Sequence, residues 1–342
     1  MNLLSVRDLH VNYALPGGTL QAVRGVSLDI AYGETVGVVG ESGCGKSTLG
    51  KAILRLAPVS SGSIVIDGHD ITSLSPRRLR PLRQLMQMVF QDPNSSLNPR
   101  HRIGRIIAQP LMVAGQKQPQ IEARVQTLLG QVGLPPSAAS RFAHEFSGGQ
   151  RQRVGIVRAL ALQPKLLICD EPVSALDVSV RAQVINLLLD LQSDLGISYL
   201  FISHDLSLVR HVCNRLIVMY LGRVVESGDT ESIWQHPAHP YTKLLLASAP
   251  IAHPKARKPR PESLLDGELP NPMAPPSGCA FHARCPQAIL RCQTDSPVLR
   301  TLPNGRELAC HLEPFMATTE PHRNNTSHLK GIPIHVTANK PG

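Results

Sequence analysis

The glycine-rich run GESGCGKST, at residues 40–48, is the strongest chemical signal in the chain. It satisfies the pattern GxxxxGK[ST] and stands between the apolar run TVGVVG and a predicted helix, which is the context that the pattern requires. Glycines at this spacing fold the backbone tightly, so that its N–H groups and the N-terminus of the following helix face a phosphate. We therefore predict a nucleotide-phosphate site formed by Gly40, Ser42, Gly43, Cys44, Gly45, Lys46, Ser47 and Thr48.

Two side chains of this loop have defined roles at such a site. Lys46 would reach the β- and γ-phosphates, and the hydroxyl of Ser47 would ligate Mg²⁺. A dinucleotide-binding fold would need GxGxxG instead, whereas the glycines here fall as GxxGxG and are followed by lysine. The spacing therefore favours a nucleoside triphosphate.

The apolar run KLLICDE, at residues 165–171, ends in two carboxylates. Such a pair at a strand end is by itself more often a solvated turn, but open α/β sheets bind ligands at the carboxyl ends of their strands. Because a phosphate loop lies upstream, the pair becomes a specific signal. We expect Asp170 to hold Mg²⁺ through water and Glu171 to act as general base on the attacking water.

A second phosphate-binding motif is HEFSGGQRQRV, at residues 144–154. Ser147, Gly148 and Gly149 begin a helix predicted for residues 148–162, and offer a hydroxyl, bare backbone amides and a helix N-terminus to an anion. An N-cap role for Ser147 alone explains the same residues. Both interpretations are open at this point.

The chain alternates short apolar runs with helical segments, which predicts an α/β fold. Helices are predicted over residues 102–162 with no strand between them, so a helical insert is expected between MQMVFQD and KLLICDE. The predicted strands are VSLDI, TVGVVG, SIVIDG, LLICDE, SYLFISH and RLIVMY. The predicted helices are 46–57, 102–114, 121–132, 148–162, 180–194 and 205–213.

Composition narrows the class of protein. Apolar residues make up 42% of the chain and aromatic residues only 4%, which gives little support for a base-stacking nucleic-acid surface. The net charge of +10 is spread along the chain and does not choose between nucleic acid, an anionic membrane face and phosphorylated ligands. The N-terminus shows no secretory apolar region, and no apolar run reaches about 18 residues, so we expect a cytosolic chain without a membrane span.

The C-terminal part is organised differently. Eight prolines lie between residues 250 and 276, which predicts a linker over 249–278, and residues 315–342 read as a disordered tail. Between them, residues 279–314 carry Cys279, Cys285, Cys292 and Cys310 at spacings of 6, 7 and 18 positions. A reducing cytosol disfavours disulfides, zinc usually takes CxxC pairs, and a cubane iron–sulfur cluster accepts looser spacing. A cluster is favoured, with zinc or bare thiols as alternatives.

FSGGQ (146–150), SALD (174–177) and ISHDL (202–206) occur in this order in the chain. Together with the motifs above, they make residues 1–248 resemble the ATP-binding subunit of an ABC transporter. The resemblance implies a P-loop NTPase fold with a RecA-like core, an antiparallel β subdomain and a helical subdomain at about 95–162. It implies that Tyr13 stacks on adenine, Gln91 senses Mg²⁺ and the attacking water, and His204 contacts the γ-phosphate. It also implies head-to-tail dimers, in which ATP on one subunit is closed by the partner's copy of Ser147, Gly148, Gly149, Gln150 and Asp177.

The stretches HPAHPYTKLLLASAP, GCAFHARCP and MQMVFQDPNSSLNPR are similar to the oligopeptide and dipeptide importer ATPases. This narrower resemblance implies a peripheral protein on the cytoplasmic face of the inner membrane. Its partners would be two permease subunits, an extracytoplasmic solute-binding protein and a second ATPase that is a copy or a paralogue. Iron–sulfur ligation by the four cysteines is likewise implied by the family. Some relatives carry nickel, so the cargo stays open.

Two other classes of protein would also use a nucleotide site. An ABC-type ATPase acting on nucleic acid or ribosomes would carry a long coiled coil or a second ATPase core, and only about a hundred residues separate Thr48 from Ser147. A regulatory iron–sulfur or zinc sensor that uses ATP as a switch is the other alternative. We expect no nucleic-acid partner.

Overall fold

The structure is a computed structural model that describes residues 1–92, 96–248 and 270–313. Its central sheet runs in the order β11-β12-β10-β9-β3-β8-β7-β6. Strands β3, β6, β7, β8 and β9 pair in parallel, and β10, β11 and β12 extend the sheet antiparallel. The strands are β3 (Thr35–Val39), β6 (Met86–Val89), β7 (Leu166–Asp170), β8 (Ser198–Ile202), β9 (Arg215–Tyr220), β10 (Arg223–Asp229), β11 (Arg300–Thr301) and β12 (Glu307–Leu308).

The parallel strands are built from apolar, often β-branched runs because both of their faces are covered. All five residues of β3, of β7 and of β8 are buried, as expected for parallel strands between two layers. One apolar cluster fills each face of the sheet. The predicted strands TVGVVG, LLICDE, SYLFISH and RLIVMY are confirmed here, and the carboxyl ends of these parallel strands lie at one edge of the sheet. VSLDI and SIVIDG are confirmed as strands of a second sheet.

A second, antiparallel sheet has the order β2-β1-β4-β5. It shares an apolar cluster with β3 and with the helix that follows the phosphate loop. Its strands are β1 (Asn2–Leu15), β2 (Gly18–Ala31), β4 (Ser61–Ile66) and β5 (His69–Asp70). This is the antiparallel β subdomain that the resemblance implied.

The helices of the first 248 residues include the expected helical insert. Between β6 and β7 the described residues contain α3, α4 and α5 and no strand, which confirms the predicted insert. The helices are α1 (Lys46–Ile53), α2 (Pro76–Leu82), α3 (Ile103–Val113), α4 (Gln118–Gln131), α5 (Gly148–Leu160), α6 (Val178–Leu195), α7 (Leu206–Val212), α8 (Thr230–Gln235) and α9 (Pro240–Ser248). Helix α1 is shorter than predicted because Arg55 adopts a positive φ of 55° just beyond its end.

The C-terminal extension, residues 270–313, is joined to the central sheet. Strand β12 pairs with β10 through Glu226↔Leu308, and a short helix, α10 (Arg291–Thr294), precedes β11. Arg306 of the extension forms a buried ion pair with Glu226, whose side chain is 0% exposed. The extension therefore continues the central sheet. Most of the predicted linker, and all of the predicted tail, lie outside the described residues.

Candidate nucleotide-binding site

Two glycines of the phosphate loop stand where no other residue fits. Gly40 has φ 152°, and a Cβ there would lie 2.2 Å from the carbonyl oxygen of Met219. Gly45 has φ 103°, and its Cβ would lie 2.2 Å from the carbonyl oxygen of Ala22. The loop is thus pressed against β9 on one side and β2 on the other, which fixes its backbone before any ligand binds.

Lys46 begins helix α1 and its side chain points back along the loop. Its Nζ donates hydrogen bonds to the carbonyl oxygens of Gly40, at 2.8 Å, and Glu41, at 2.9 Å. Lys46 is only 5% exposed. A buried ammonium held by two carbonyl groups is preorganised to meet an anion at the loop.

Ser47 and Asp170 lie together at the carboxyl end of β7. The Ser47 hydroxyl donates a hydrogen bond to Asp170 Oδ1 at 2.7 Å. Asp170 is 4% exposed, and its burial raises the pKa of the carboxyl group. A hydroxyl beside a carboxylate is an oxygen donor set that suits Mg²⁺.

Glu171 is the point at which the other predicted catalytic residues meet. Gln91 Nε2 donates to Glu171 Oε2 at 2.9 Å, and His204 Nδ1 lies 3.2 Å from Glu171 Oε1. Glu171 has a positive φ of 46°, a strained conformation that is common at functional sites. Its backbone N–H donates to Ile202 O at 2.9 Å, which anchors the strained residue to β8. The structure brings together three residues that the sequence separates by up to 113 positions.

A cavity of about 650 Å³ connects these groups. The residues predicted from the sequence that line this cavity are Tyr13, Ser42, Gly43, Gly45, Lys46, Ser47, Thr48, Gln91, Glu171 and His204. Gly40, Cys44 and Asp170 do not line the cavity but support its wall. Cys44 is buried, and burial raises the pKa of its thiol.

Sequence patterns missed several residues of the cavity wall. Arg24 belongs to β2, and Pro272 and Pro275 precede the cysteine-containing segment, yet all three line the cavity. Met273, between the two prolines, lies 3.6 Å from the position a Cβ of Gly18 would take in the β1–β2 turn. The prolines could be found from the sequence only as linker composition, because no local pattern ties them to phosphate-loop residues more than 220 positions away.

The second predicted phosphate site forms a separate surface, and its residues do not line the cavity. Ser147 caps α5: its hydroxyl accepts from the N–H of Gln150 at 3.3 Å, and its own N–H donates to Gln150 Oε1 at 3.0 Å. A Cβ on Gly149 would lie 2.3 Å from Val180 Cγ1, so the start of α5 packs on the start of α6 next to Asp177. The N-cap role of Ser147 is confirmed.

The four C-terminal cysteines are free thiols. Burial is the main cause that raises the pKa of Cys279, to about 11, and of Cys285 and Cys310, and nearby thiols among the four raise these pKa values further. Among the described residues, however, no three or more His, Cys, Asp and Glu side chains are arranged to hold a metal ion. The geometry gives the predicted iron–sulfur or zinc site no support of its own.

Within the described ranges, none of the helices is both long enough and apolar enough to cross a membrane.

Comparisons with known proteins agree with this geometry. The family model described as "ABC transporter" matches residues 23–174, and "Oligopeptide/dipeptide transporter, C-terminal region" matches residues 225–292. A "putative peptide import ATP-binding protein" of Brucella abortus is 51% identical over 310 residues, covering 90% of this chain and 97% of that protein. The "oligopeptide transport ATP-binding protein OppF" of Escherichia coli is 48% identical over 308 residues, covering 87% and 92%.

Solved structures show the same fold. The ATP-binding cassette MJ0796, solved as a dimer in a post-hydrolysis state bound to ADP and Pi, superposes with a TM-score of 0.61 at 28% identity. The superposition covers 66% of this chain and 98% of the cassette. The part of this chain without a counterpart there is about a third of its length.

Proposed function

The chain belongs to the ABC transporter ATP-binding family and carries the oligopeptide/dipeptide transporter C-terminal region, and from this membership we propose that it hydrolyses ATP to drive the import of dipeptides or oligopeptides. The single observation that carries the proposal is the meeting of Gln91, Glu171 and His204 at the mouth of the phosphate loop. A chain that only bound nucleotide would not need a general base there.

The predicted site residues have distinct roles in the proposed hydrolysis. The phosphate loop and Lys46 bind the β- and γ-phosphates, and Tyr13, on β1, packs against the base. Ser47 and Asp170 would hold Mg²⁺, which neutralises phosphate charge when bound. Glu171 accepts a proton from the attacking water, while Gln91 and His204 orient its carboxylate.

The reaction site is completed by a second ATPase subunit, a copy or a paralogue. Ser147 is exposed and its helix α5 presents an N-terminus, yet neither Ser147 nor Asp177 reaches the cavity of its own chain. Asp177 makes no side-chain cap bond at the start of α6, and the next residue, Val178, is 81% exposed. An exposed helix N-terminus beside an exposed apolar residue suits closure over the partner's γ-phosphate.

A groove between the core and the helical insert is suited to a permease helix. It has a volume of about 450 Å³ and is lined by Leu54 and Leu56 of the core and by Arg158 of α5. Phe90 also lines it, and the next residue, Gln91, donates to Glu171. A helix seated in this groove would therefore act on the general base through two consecutive residues.

The remaining parts of the proposal concern the assembly. Two permease subunits would hold the ATPases at the cytoplasmic face of the membrane, and an extracytoplasmic protein would deliver the solute. The names printed for the relatives, peptide import and oligopeptide transport, support peptide as cargo.

The test is to purify the chain from detergent-solubilised membranes, identify its partners and measure ATP hydrolysis with and without them. We expect two permeases and an ATPase subunit to co-purify, and peptide-loaded binding protein to stimulate hydrolysis. Hydrolysis stimulated by nucleic acid or ribosomes, with salt-dependent binding to them, would contradict the proposal.

An iron–sulfur cluster on the four cysteines is a further part of the proposal. Its support is the set of four free thiols, at spacings of 6, 7 and 18 positions, in a folded segment. Protein purified without oxygen should be brown, with about four irons per chain, and Cys285→Ser should lose the colour. A colourless, iron-free wild type would overturn this part alone.

A further inference from the structure

An arginine of the C-terminal extension forms a bidentate ion pair with the phosphate loop. Arg284 donates through Nη1 to Glu41 Oε2 and through Nη2 to Glu41 Oε1, each at 2.8 Å. The Arg284 side chain is 5% exposed and that of Glu41 is 21% exposed. This two-pronged ion pair joins positions that are 243 residues apart.

Glu41 is held by its main chain as well as by its carboxylate. Its N–H donates to the hydroxyl of Tyr241 at 2.8 Å, and its carbonyl oxygen accepts from Lys46 Nζ at 2.9 Å. Glu41 is therefore the residue of the loop that touches both the phosphate-binding lysine and the extension.

The extension is in turn packed firmly behind Glu41. The ring of Phe281 lies 5.3 Å from that of Tyr220 and 5.4 Å from that of Tyr241, measured between centroids. Arg284 follows Phe281 by three residues, and its Nη1 is 3.5 Å from the Tyr220 hydroxyl. The guanidinium is thus fixed by an aromatic cluster, which makes it a rigid partner for Glu41.

A carboxylate at this position is a liability unless it is neutralised. The loop must bind a polyphosphate, and a free carboxylate nearby repels it at low dielectric. The main-chain carbonyl oxygen of Glu41 contacts Lys46 Nζ at 2.9 Å. A carboxylate released from Arg284 would therefore start from a residue already next to the ammonium, and would compete with phosphate for it.

We infer that Arg284 is a positioning residue of the nucleotide site, which neutralises Glu41 and holds its carboxylate away from Lys46. The C-terminal extension then sets the affinity of the phosphate loop for nucleotide. This inference rests on the proposed ATP site and adds a residue outside its motifs.

A double-mutant cycle on Mg²⁺-ATP affinity, measured by calorimetry, tests it. In the otherwise wild-type protein, Arg284→Met should raise the Kd about tenfold, because a partly buried carboxylate of the phosphate loop is left without its cation. In the Glu41→Gln background, the same substitution should change the Kd by less than about twofold. Arg291→Met is the matched control: Arg291 is on the same extension, in an exposed ion pair with Asp295, and its loss should leave the Kd unchanged.

The cycle separates positioning from a merely structural role. If Arg284→Met weakens binding equally in both backgrounds, or not at all in the wild type, the inference is overturned. Should Arg284→Met fail to fold, Arg284→Lys takes its place, with a Kd raised about threefold that returns towards normal with Glu41→Gln; equal effects in both backgrounds would again overturn it. Lys46→Ala is the reference: if it leaves ATP affinity intact, the proposed site itself fails, whatever Arg284 does.

Discussion

Gln91 donates a hydrogen bond to Glu171 at 2.9 Å. Gln91 lies where the chain leaves β6 towards the helical insert, and Glu171 is the strained residue that follows β7. The orientation of the proposed general base therefore depends on where the insert lies relative to the core. Phe90, the neighbour of Gln91, lines the groove between these two parts. A partner bound in this groove would therefore shift the Glu171 carboxylate through Phe90 and Gln91.

Glu171→Gln should bind ATP but hydrolyse it at least about 100-fold more slowly, because an amide cannot accept a proton from water. The unhydrolysed nucleotide should hold two chains together, which size-exclusion chromatography with ATP would show as a dimer. The matched control is Glu122→Gln, an exposed glutamate that accepts from Gln118 on α4. Normal turnover by Glu171→Gln would rule out its role as the base.

Lys46→Ala should abolish measurable ATP binding in calorimetry. The ammonium is buried and is the cation that we propose to bind the β- and γ-phosphates, so its loss removes the positive side chain of the loop. Lys51→Ala, also on α1 and exposed, should bind ATP as the wild type does. Unchanged affinity in Lys46→Ala would contradict the phosphate-loop geometry.

Arg306→Met should destabilise the fold by about 3–5 kcal/mol, because the fully buried Glu226 is left charged without its cation. Glu226 Oε2 also accepts from the N–H of His239 at 3.0 Å, so the loop before α9 loosens too. Arg291→Met, which breaks an exposed pair, should cost less than about 1 kcal/mol. Urea unfolding compares the two, and equal costs would show that the extension does not brace the sheet.

Acid should weaken the fold through His239. This residue is 1% exposed, its Nδ1 accepts from the N–H of Tyr241 at 3.0 Å, and burial lowers its pKa from 6.5 to about 4. Between pH 6.5 and pH 4 the imidazole is protonated in the unfolded chain but neutral in the folded chain. The contribution of the neutral His239 to the free energy of unfolding is therefore complete above pH 6.5 and is lost as the pH falls towards 4.

From pH 7 to pH 5 this single group should account for a loss of about 2 kcal/mol in the free energy of unfolding. His239→Asn keeps an acceptor near Nδ1 and should flatten the dependence by that amount, while a substitution of the exposed His211, His211→Asn, should not. Urea unfolding at the two pH values decides. An identical slope in wild type and His239→Asn would contradict a neutral buried imidazole.

The sequence predicted those parts of the site that local spacing or family resemblance can signal. The phosphate loop follows from glycine positions within 9 residues, and Asp170 and Glu171 follow from an apolar run that ends in carboxylates. The assignment of Gln91 and His204 to the nucleotide site came from the family resemblance, because a lone glutamine or histidine has no periodicity. Their contacts with Glu171 are visible only in the fold.

Contacts between distant segments left no such signal. Arg284 looks like one charge in a cysteine-rich stretch, and only the folded chain puts it against Glu41. Strand β12 joins the sheet through β10 but has only two residues. A run of two residues is too short to show the alternation of apolar and polar residues that predicts a strand. Glu226 reads as a surface residue because a charged side chain is seldom buried without a partner, and its partner lies 80 positions away.

The central claim is that each reaction site needs two chains, one giving Lys46 and the other the SGGQ end of α5. It is tested most directly by mixing two inactive variants, Lys46→Ala and Gly148→Asp, at a concentration where the wild type hydrolyses ATP. Gly148 is the first residue of α5, where an aspartate suits the helix N-terminus but repels phosphate.

Mixed dimers hold one intact site, made of the phosphate loop of the Gly148→Asp chain and the SGGQ motif of the Lys46→Ala chain. With random exchange, we predict that ATP hydrolysis returns to about a quarter of the wild-type rate per chain. A mixture no more active than the two variants alone, under conditions where the wild type turns over, would contradict the claim.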